Sequence, residues 1–127
     1  MSNIFFYNRL INNITIDCLH INNIINKTIF FSNALKIKSL KVINNGHLLK
    51  LIIPITILKT LIVSNCKNLK FLQFYKNLNS IHLKSLPKLI TIKDPDFTNI
   101  NEIGIDDCNL LKYLNINYNK ITIWNHR

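Results

Sequence analysis

The apolar positions Leu58, Leu61, Val63, Cys66, Leu69 and Leu72 are spaced by three, two, three, three and three residues. That spacing fits neither the 3.6-residue period of a helix nor the strict alternation of a strand. Moved back by twenty-one residues, the pattern falls on Ile37, Leu40, Val42, Asn45, Leu48 and Leu51. A second step of twenty-one gives Ile16, Leu19, Ile21, Ile24, Lys27 and Phe30, with one polar mismatch at Lys27. Forward by twenty it meets Leu78, Ile81, Leu83, Leu86, Leu89 and Ile92, and after another twenty-two Ile100, Ile103, Ile105, Cys108, Leu111 and Leu114. Five copies in register at a period near twenty-one predict a solenoid, one coil per copy.

Within each copy the short alternating piece, such as Leu61-Ile62-Val63, suits a strand with every other side chain turned inward. The later pieces "LLKLIIP", "NLKFLQFY", "KLITIKDP" and "LLKYLNINYN" are β-branched, aromatic or alternating, and Pro54 and Pro95 close two of them. These predict a second, shorter strand per coil. No helical period is sustained over three turns, so little helix is expected. Directly after each first strand stand Asn23, Asn44, Asn65, Ser85 and Asp107. Small polar side chains at one stacked position suit turns, where they bond backbone left unpaired at the end of a sheet. The fold class is therefore mainly β: one domain over 1–127, a parallel main sheet and a second short strand per coil. Repeats start near 16, 37, 58, 78 and 100. Residues 1–15, with the apolar "IFFYNRLI", are expected to close the first coil as an irregular half-turn, and 115–127 to form a C-terminal strand or edge.

The unit LxxLxIxxCxxLxxL resembles the leucine-rich repeat family, and "LKYLNINYNKIT" (111–122) is close to its hallmark, with Asn119 at the Asn/Cys position. The resemblance spans about residues 16–123. It implies a right-handed solenoid whose main sheet recognises a protein partner. Two departures bear on its shape. Ile24 and Leu86 stand where the family has Asn or Cys, and the variable part of each repeat is too short for a regular helix. Both favour a strand-rich, fairly straight coil.

Composition changes this picture little. Apolar residues make up 48% of the chain and charged ones 17%, which excludes a disordered tail. Asn, Ile and Lys supply nearly half of the residues, as an AT-rich genome would give. The formal net charge is +10, almost all from Lys, with Arg only at Arg9 and Arg127. Such a balance supports an alternative function, an electrostatic binder of nucleic acid or anionic membrane. The Lys residues scatter around the coil, however, and codon bias towards Lys accounts for the charge more simply. The N-terminus has no clean secretory h-region, and no run of about 18 apolar residues predicts a membrane span. Three Cys at irregular spacing do not suggest a disulfide framework, so an intracellular, cytoplasmic protein is expected.

No catalytic chemistry emerges. Cys66 and Cys108 share an inward position two coils apart, about 10 Å at strand spacing, too far for a disulfide. Cys18 is placed outward. His20 and His82 share an outward column three coils apart, about 14 Å, too far to bind one zinc. Asp94 and Asp96 flank Pro95, Asp106-Asp107 end a strand, and none has a neighbouring His or Gly-rich loop. A non-enzyme without metal or cofactor is expected. The candidate partner-binding face is the outward side of the main sheet: Ser39, Lys41 and Ile43; Thr60, Ile62 and Ser64; Ser80, His82 and Lys84. At the C-terminus, Ile121, Ile123 and Trp124 form an apolar strand that would seek another strand, so end-to-end self-association is a further expectation.

Overall fold

The structure is a computed structural model and describes residues 4–7, 15–31, 36–54, 58–74, 78–93, 100–111 and 121–125, with 4–7 and 121–125 described through their backbone. Among the described residues there are eleven strands and no helix. They are β1 (Ile4–Tyr7), β2 (Ile16–Asn22), β3 (Thr28–Phe31), β4 (Ile37–Ile43), β5 (Lys50–Ile53), β6 (Thr60–Ser64), β7 (Phe71–Phe74), β8 (Ser80–Lys84), β9 (Thr91–Lys93), β10 (Glu102–Asp106) and β11 (Ile121–Asn125). All pairings are parallel and form two sheets. The main sheet runs β11-β10-β8-β6-β4-β2, and the second runs β1-β3-β5-β7-β9. Four complete coils (β2–β3, β4–β5, β6–β7 and β8–β9) thus stack as a β-solenoid, and β10 opens a fifth.

The core lies between the sheets and is built from columns one residue deep per coil. Leu40, Leu61, Ile81 and Ile103 are in register across the main sheet, as are Ile21, Val42, Val63, Leu83 and Ile105. Ile29, Leu51, Leu72 and Ile92 face them from the second sheet, and all of these side chains are buried. A coil alone has no interior to bury them in; only stacking removes both faces of each layer from water. Leu19 lies on β2, the edge of the main sheet among the described residues, and is half-buried.

One predicted register is corrected. Phe30 was expected inward with Lys27 as a mismatch, whereas Ile29 and Phe31 are fully buried, Phe30 is half-exposed and Lys27 is exposed. The first coil is one residue shorter at its corner. Its main strand pairs with the next at an offset of twenty-one (Ile16↔Ile37), but its second strand pairs at twenty-two (Thr28↔Lys50). Alternation then moves every side chain of β3 to the opposite face. The polar mismatch was the trace of that deletion.

The predicted turn column is present, with a backbone conformation that explains its residue types. Asn23, Asn44, Asn65, Ser85 and Asp107 all have φ between 53° and 59°, the left-handed region. Asn and Asp enter this region more readily than other residues with a side chain. The N–H groups of Asn44, Asn65 and Ser85 donate to the carbonyls of Ser64, Lys84 and Asp106 at 3.1, 3.0 and 2.9 Å, so the ladder continues through the turn. Asn65 Nδ2 also donates to Asn44 Oδ1 at 2.6 Å.

The next residue in each coil points inward, and three of the five are polar or carry a thiol. Asn45 is fully buried and fully used: its Oδ1 accepts from Ile24 N–H at 2.8 Å, and Nδ2 donates to the Ile21 and Ile43 carbonyls at 3.1 Å each. Cys66 Sγ donates to the Ser64 carbonyl at 3.4 Å, and Cys108 Sγ to that of Asp106 at 3.3 Å. Each closes the turn that precedes it, in a place where an unmet carbonyl would cost about 1–3 kcal/mol.

The ends differ from expectation in one respect. The N-terminal segment contributes a regular strand, since β1 pairs in parallel with β3 from Ile4↔Thr28 to Tyr7↔Phe31. At the other end β11 extends the main sheet beyond β10, with a register shift between Ile103↔Ile121 and Gly104↔Ile123. The expected second strand of the fifth coil, with Asn119, and the Asp94–Asp96 turn lie outside the described residues.

Neighbouring residues of β6 test this register. Leu61 and Val63 are fully buried while Ile62 between them is half-exposed. In denaturant melts Leu61→Asp should cost more than about 3 kcal/mol or abolish folding, because it buries an unpaired charge. Ile62→Asp should cost about 1 kcal/mol or less. Equal costs would contradict the structure.

Candidate functional site

Because the coils stack in register, the outward side chains of the main sheet form three rows. The first holds Ser39, Thr60 and Ser80, flanked by Cys18 and Glu102. The middle row is His20, Lys41, Ile62, His82 and Gly104, and the third is Asn22, Ile43, Ser64, Lys84 and Asp106. All nine residues expected on this face are therefore brought together on β4, β6 and β8. Eight are half-buried and Lys84 is exposed, as expected of side chains packed against neighbours 4.8 Å away on an open sheet.

The contribution of β10 was not anticipated, and it shapes the surface. Gly104 sits in mid-strand in the middle row, where the other coils carry His, Lys or Ile. A Cβ built there would lie 2.6 Å from His82 Nδ1 and 3.2 Å from its Cε1, so the imidazole lies across the glycine. Glu102 holds it, with Oε1 2.6 Å from His82 Nε2. Beside the displaced ring a depression of about 350 Å³ opens, lined by Ile62, Ser64, His82, Lys84, Gly104 and Asp106. A glycine inside a strand pattern signals such a close approach, and this was the readable clue.

The charges on this face are graded. Lys41 stands on β4, Lys84 and His82 on β8, and Glu102 and Asp106 on β10. The His82–Glu102 contact is partly exposed, and a solvated pair of this kind contributes little to stability. It fixes the ring rather than the fold.

The thiols are divided between surface and core. Cys18 is exposed at the β2 edge, whereas Cys66 and Cys108 are buried. Burial raises the pKa of both, and pushes Cys108 up to about 11, with the nearby charges of Asp107 and Asp106 adding to the rise. Both are therefore protonated at neutral pH and serve as donors, in keeping with the packing role read from their spacing. His20 and His82 are three strands apart, as expected. Among the described residues no group of three His, Cys, Asp or Glu is placed to hold a metal ion, and no helix is long and apolar enough to cross a membrane.

No family model, curated protein or solved structure matches this chain.

Gly104 gives a direct test of the site geometry. Gly104→Ala puts a methyl group where the His82 ring now lies, so the ring must swing away and lose Glu102. Gly104 has no positive φ, so the backbone tolerates the change. The imidazole resonances of His82 should shift in Gly104→Ala and in Glu102→Gln alike, with the rest of the spectrum retained. Unchanged resonances in both would contradict the arrangement.

Proposed function

We propose that the chain is a non-catalytic protein–protein interaction module of the leucine-rich repeat type, and that its partner lies on the outward face of the main sheet. The observation that carries this reading is the three-row surface on β4, β6 and β8, which ends in the depression beside His82 and Gly104. A low-relief surface with one recess and a half-exposed Ile at its rim suits a partner's apolar anchor, and polar rows around it suit orientation by hydrogen bonds. The graded charge favours a protein over a polyanion on this face. Lys41 and Lys84 are balanced by Glu102 and Asp106, and those two acids would repel a phosphate backbone.

The repeat-family reading is supported by the inward column of Asn45, Cys66 and Cys108, which donate to carbonyls at the end of the preceding strand. Ile24 and Leu86 complete that column without a donor.

A pull-down from cell extract with the wild-type chain and with Lys41→Glu plus Ile62→Asp tests the face. The double variant should keep its far-UV spectrum and lose the captured partner by roughly tenfold or more, as substitutions at an interface centre do. A folded double variant that captures every partner of the wild type would place the binding surface elsewhere.

A further inference from the structure

The corner where the chain passes from the main sheet to the second sheet differs in chemistry from both sheet faces. It comprises residues 25–27, 46–49, 67–70, 87–90 and 109–110 of successive coils. Three large apolar side chains stand well exposed among the described residues: Ile25 at 68%, Ile90 at 59% and Leu110 at 46%. All three are in this corner. Lys27, Lys67, Lys70 and Lys88 are there too, all exposed, and the corner contains no Asp or Glu.

None of these four lysines makes an ion pair among the described residues, where the pairs are Lys38–Asp17 and His82–Glu102. Lys88 Nζ donates to Asn68 Oδ1 at 3.0 Å, a neutral partner that leaves its charge uncancelled. The described acids (Asp17, Glu102, Asp106 and Asp107) all lie on main strands or their left-handed turn residues. Lys50 and Lys93 continue the positive charge onto the exposed second sheet. Among the described residues the corner and the second sheet thus carry six lysines and no acid, whereas Lys38, Lys41 and Lys84 share the main strands and their turns with all four described acids.

Coil one to coil five spans four strand spacings, about 19 Å. Ile25 and Leu110 are too far apart to enter one pocket of a partner, yet a planar surface meets a row of stacked corners at once. Protruding aliphatic side chains gain nothing from a polyanion in water. They gain by entering the boundary between lipid headgroups and acyl chains, while lysines lay their stems along it and place ammonium groups at the phosphates. A single-stranded nucleic acid would instead be held by stacking on aromatic or arginine side chains, and the corner has no Phe, Tyr, Trp or Arg.

We propose that this corner docks the protein on the surface of a bilayer rich in anionic phospholipid. Ile25, Ile90 and Leu110 enter the headgroup boundary, and Lys27, Lys67, Lys70 and Lys88 meet the lipid phosphates. The site uses none of the nine residues of the main-sheet face, so the two surfaces are tested separately.

The experiment is co-sedimentation with vesicles of phosphatidylcholine and with vesicles in which about one third of the lipid is phosphatidylserine. Two variants, Ile25→Ser with Ile90→Ser and Leu110→Ser, and Lys67→Glu with Lys70→Glu and Lys88→Glu, change exposed positions only. Far-UV spectra establish that each is folded. The wild type should sediment with the anionic vesicles and not the neutral ones, and each variant should bind roughly tenfold or more weakly. Ile62→Asp should leave vesicle binding unchanged. Failure of the wild type to bind anionic vesicles overturns the proposal, as does full binding by the serine variant. Binding of a random single-stranded RNA at physiological salt, without vesicle binding, would overturn it in favour of a nucleic-acid site.

Discussion

Everything in this solenoid depends on one backbone conformation. At the end of each main strand the chain turns into the corner through a residue in the left-handed region, at Asn23, Asn44, Asn65, Ser85 and Asp107. For an ordinary side chain that region costs about 1–2 kcal/mol. The protein meets the requirement without glycine: its two glycines are at Gly46 and Gly104, and neither has positive φ. Small polar side chains tolerate the conformation, while the N–H groups of Asn23, Asn44, Asn65 and Ser85 still serve the ladder between coils. The turn is thus repeated without breaking the sheet, and the residue after it points inward, where Asn45, Cys66 and Cys108 satisfy the strand-end carbonyls.

Repetition of that turn puts β2, β4, β6, β8 and β10 in register, and the register creates the surfaces. Residues twenty to twenty-two apart in sequence become neighbours about 4.8 Å apart, so each outward position becomes a row. The main-sheet face is then a readout of one residue per coil, and a single departure, glycine at position 104, is enough to let His82 lean over and open a recess. The corner obeys the same rule, since Ile25, Lys67, Lys88, Ile90 and Leu110 share a side only because their coils stack.

Much of this was legible in the chain. The spacing of Leu58 to Leu72 and its copies identified the two-strand coil, the inward columns and the nine outward residues, because burial on a parallel solenoid follows a period that a side-chain pattern records directly. The first coil was misread at Lys27 and Phe30 because a one-residue deletion at a corner leaves no mark beyond a single polar residue in an apolar slot. Asn45 was placed inward, but its three hydrogen bonds depend on an N–H and two carbonyls from two different coils, which no local pattern shows. Glu102 and Gly104 were missed for a similar reason: their importance lies in a diagonal contact with His82, twenty or more residues away. The lysines of the corner could not be seen to lie apart from the described acids, because the two separate only around the coil and not along the chain.

The left-handed turn is also where the account is most exposed to test. Urea unfolding of Asn65→Gly and Asn65→Val isolates it, since the side chain at this position is exposed and its hydrogen bond among the described residues is to Asn44. The glycine variant should lie within about 1 kcal/mol of the wild type, because glycine adopts positive φ freely. The valine variant should be roughly 1–2 kcal/mol less stable than the glycine variant, because a β-branched side chain is strained there. A valine variant as stable as the glycine one would mean that the coil does not turn through a left-handed residue, and the stacking derived from it would fail.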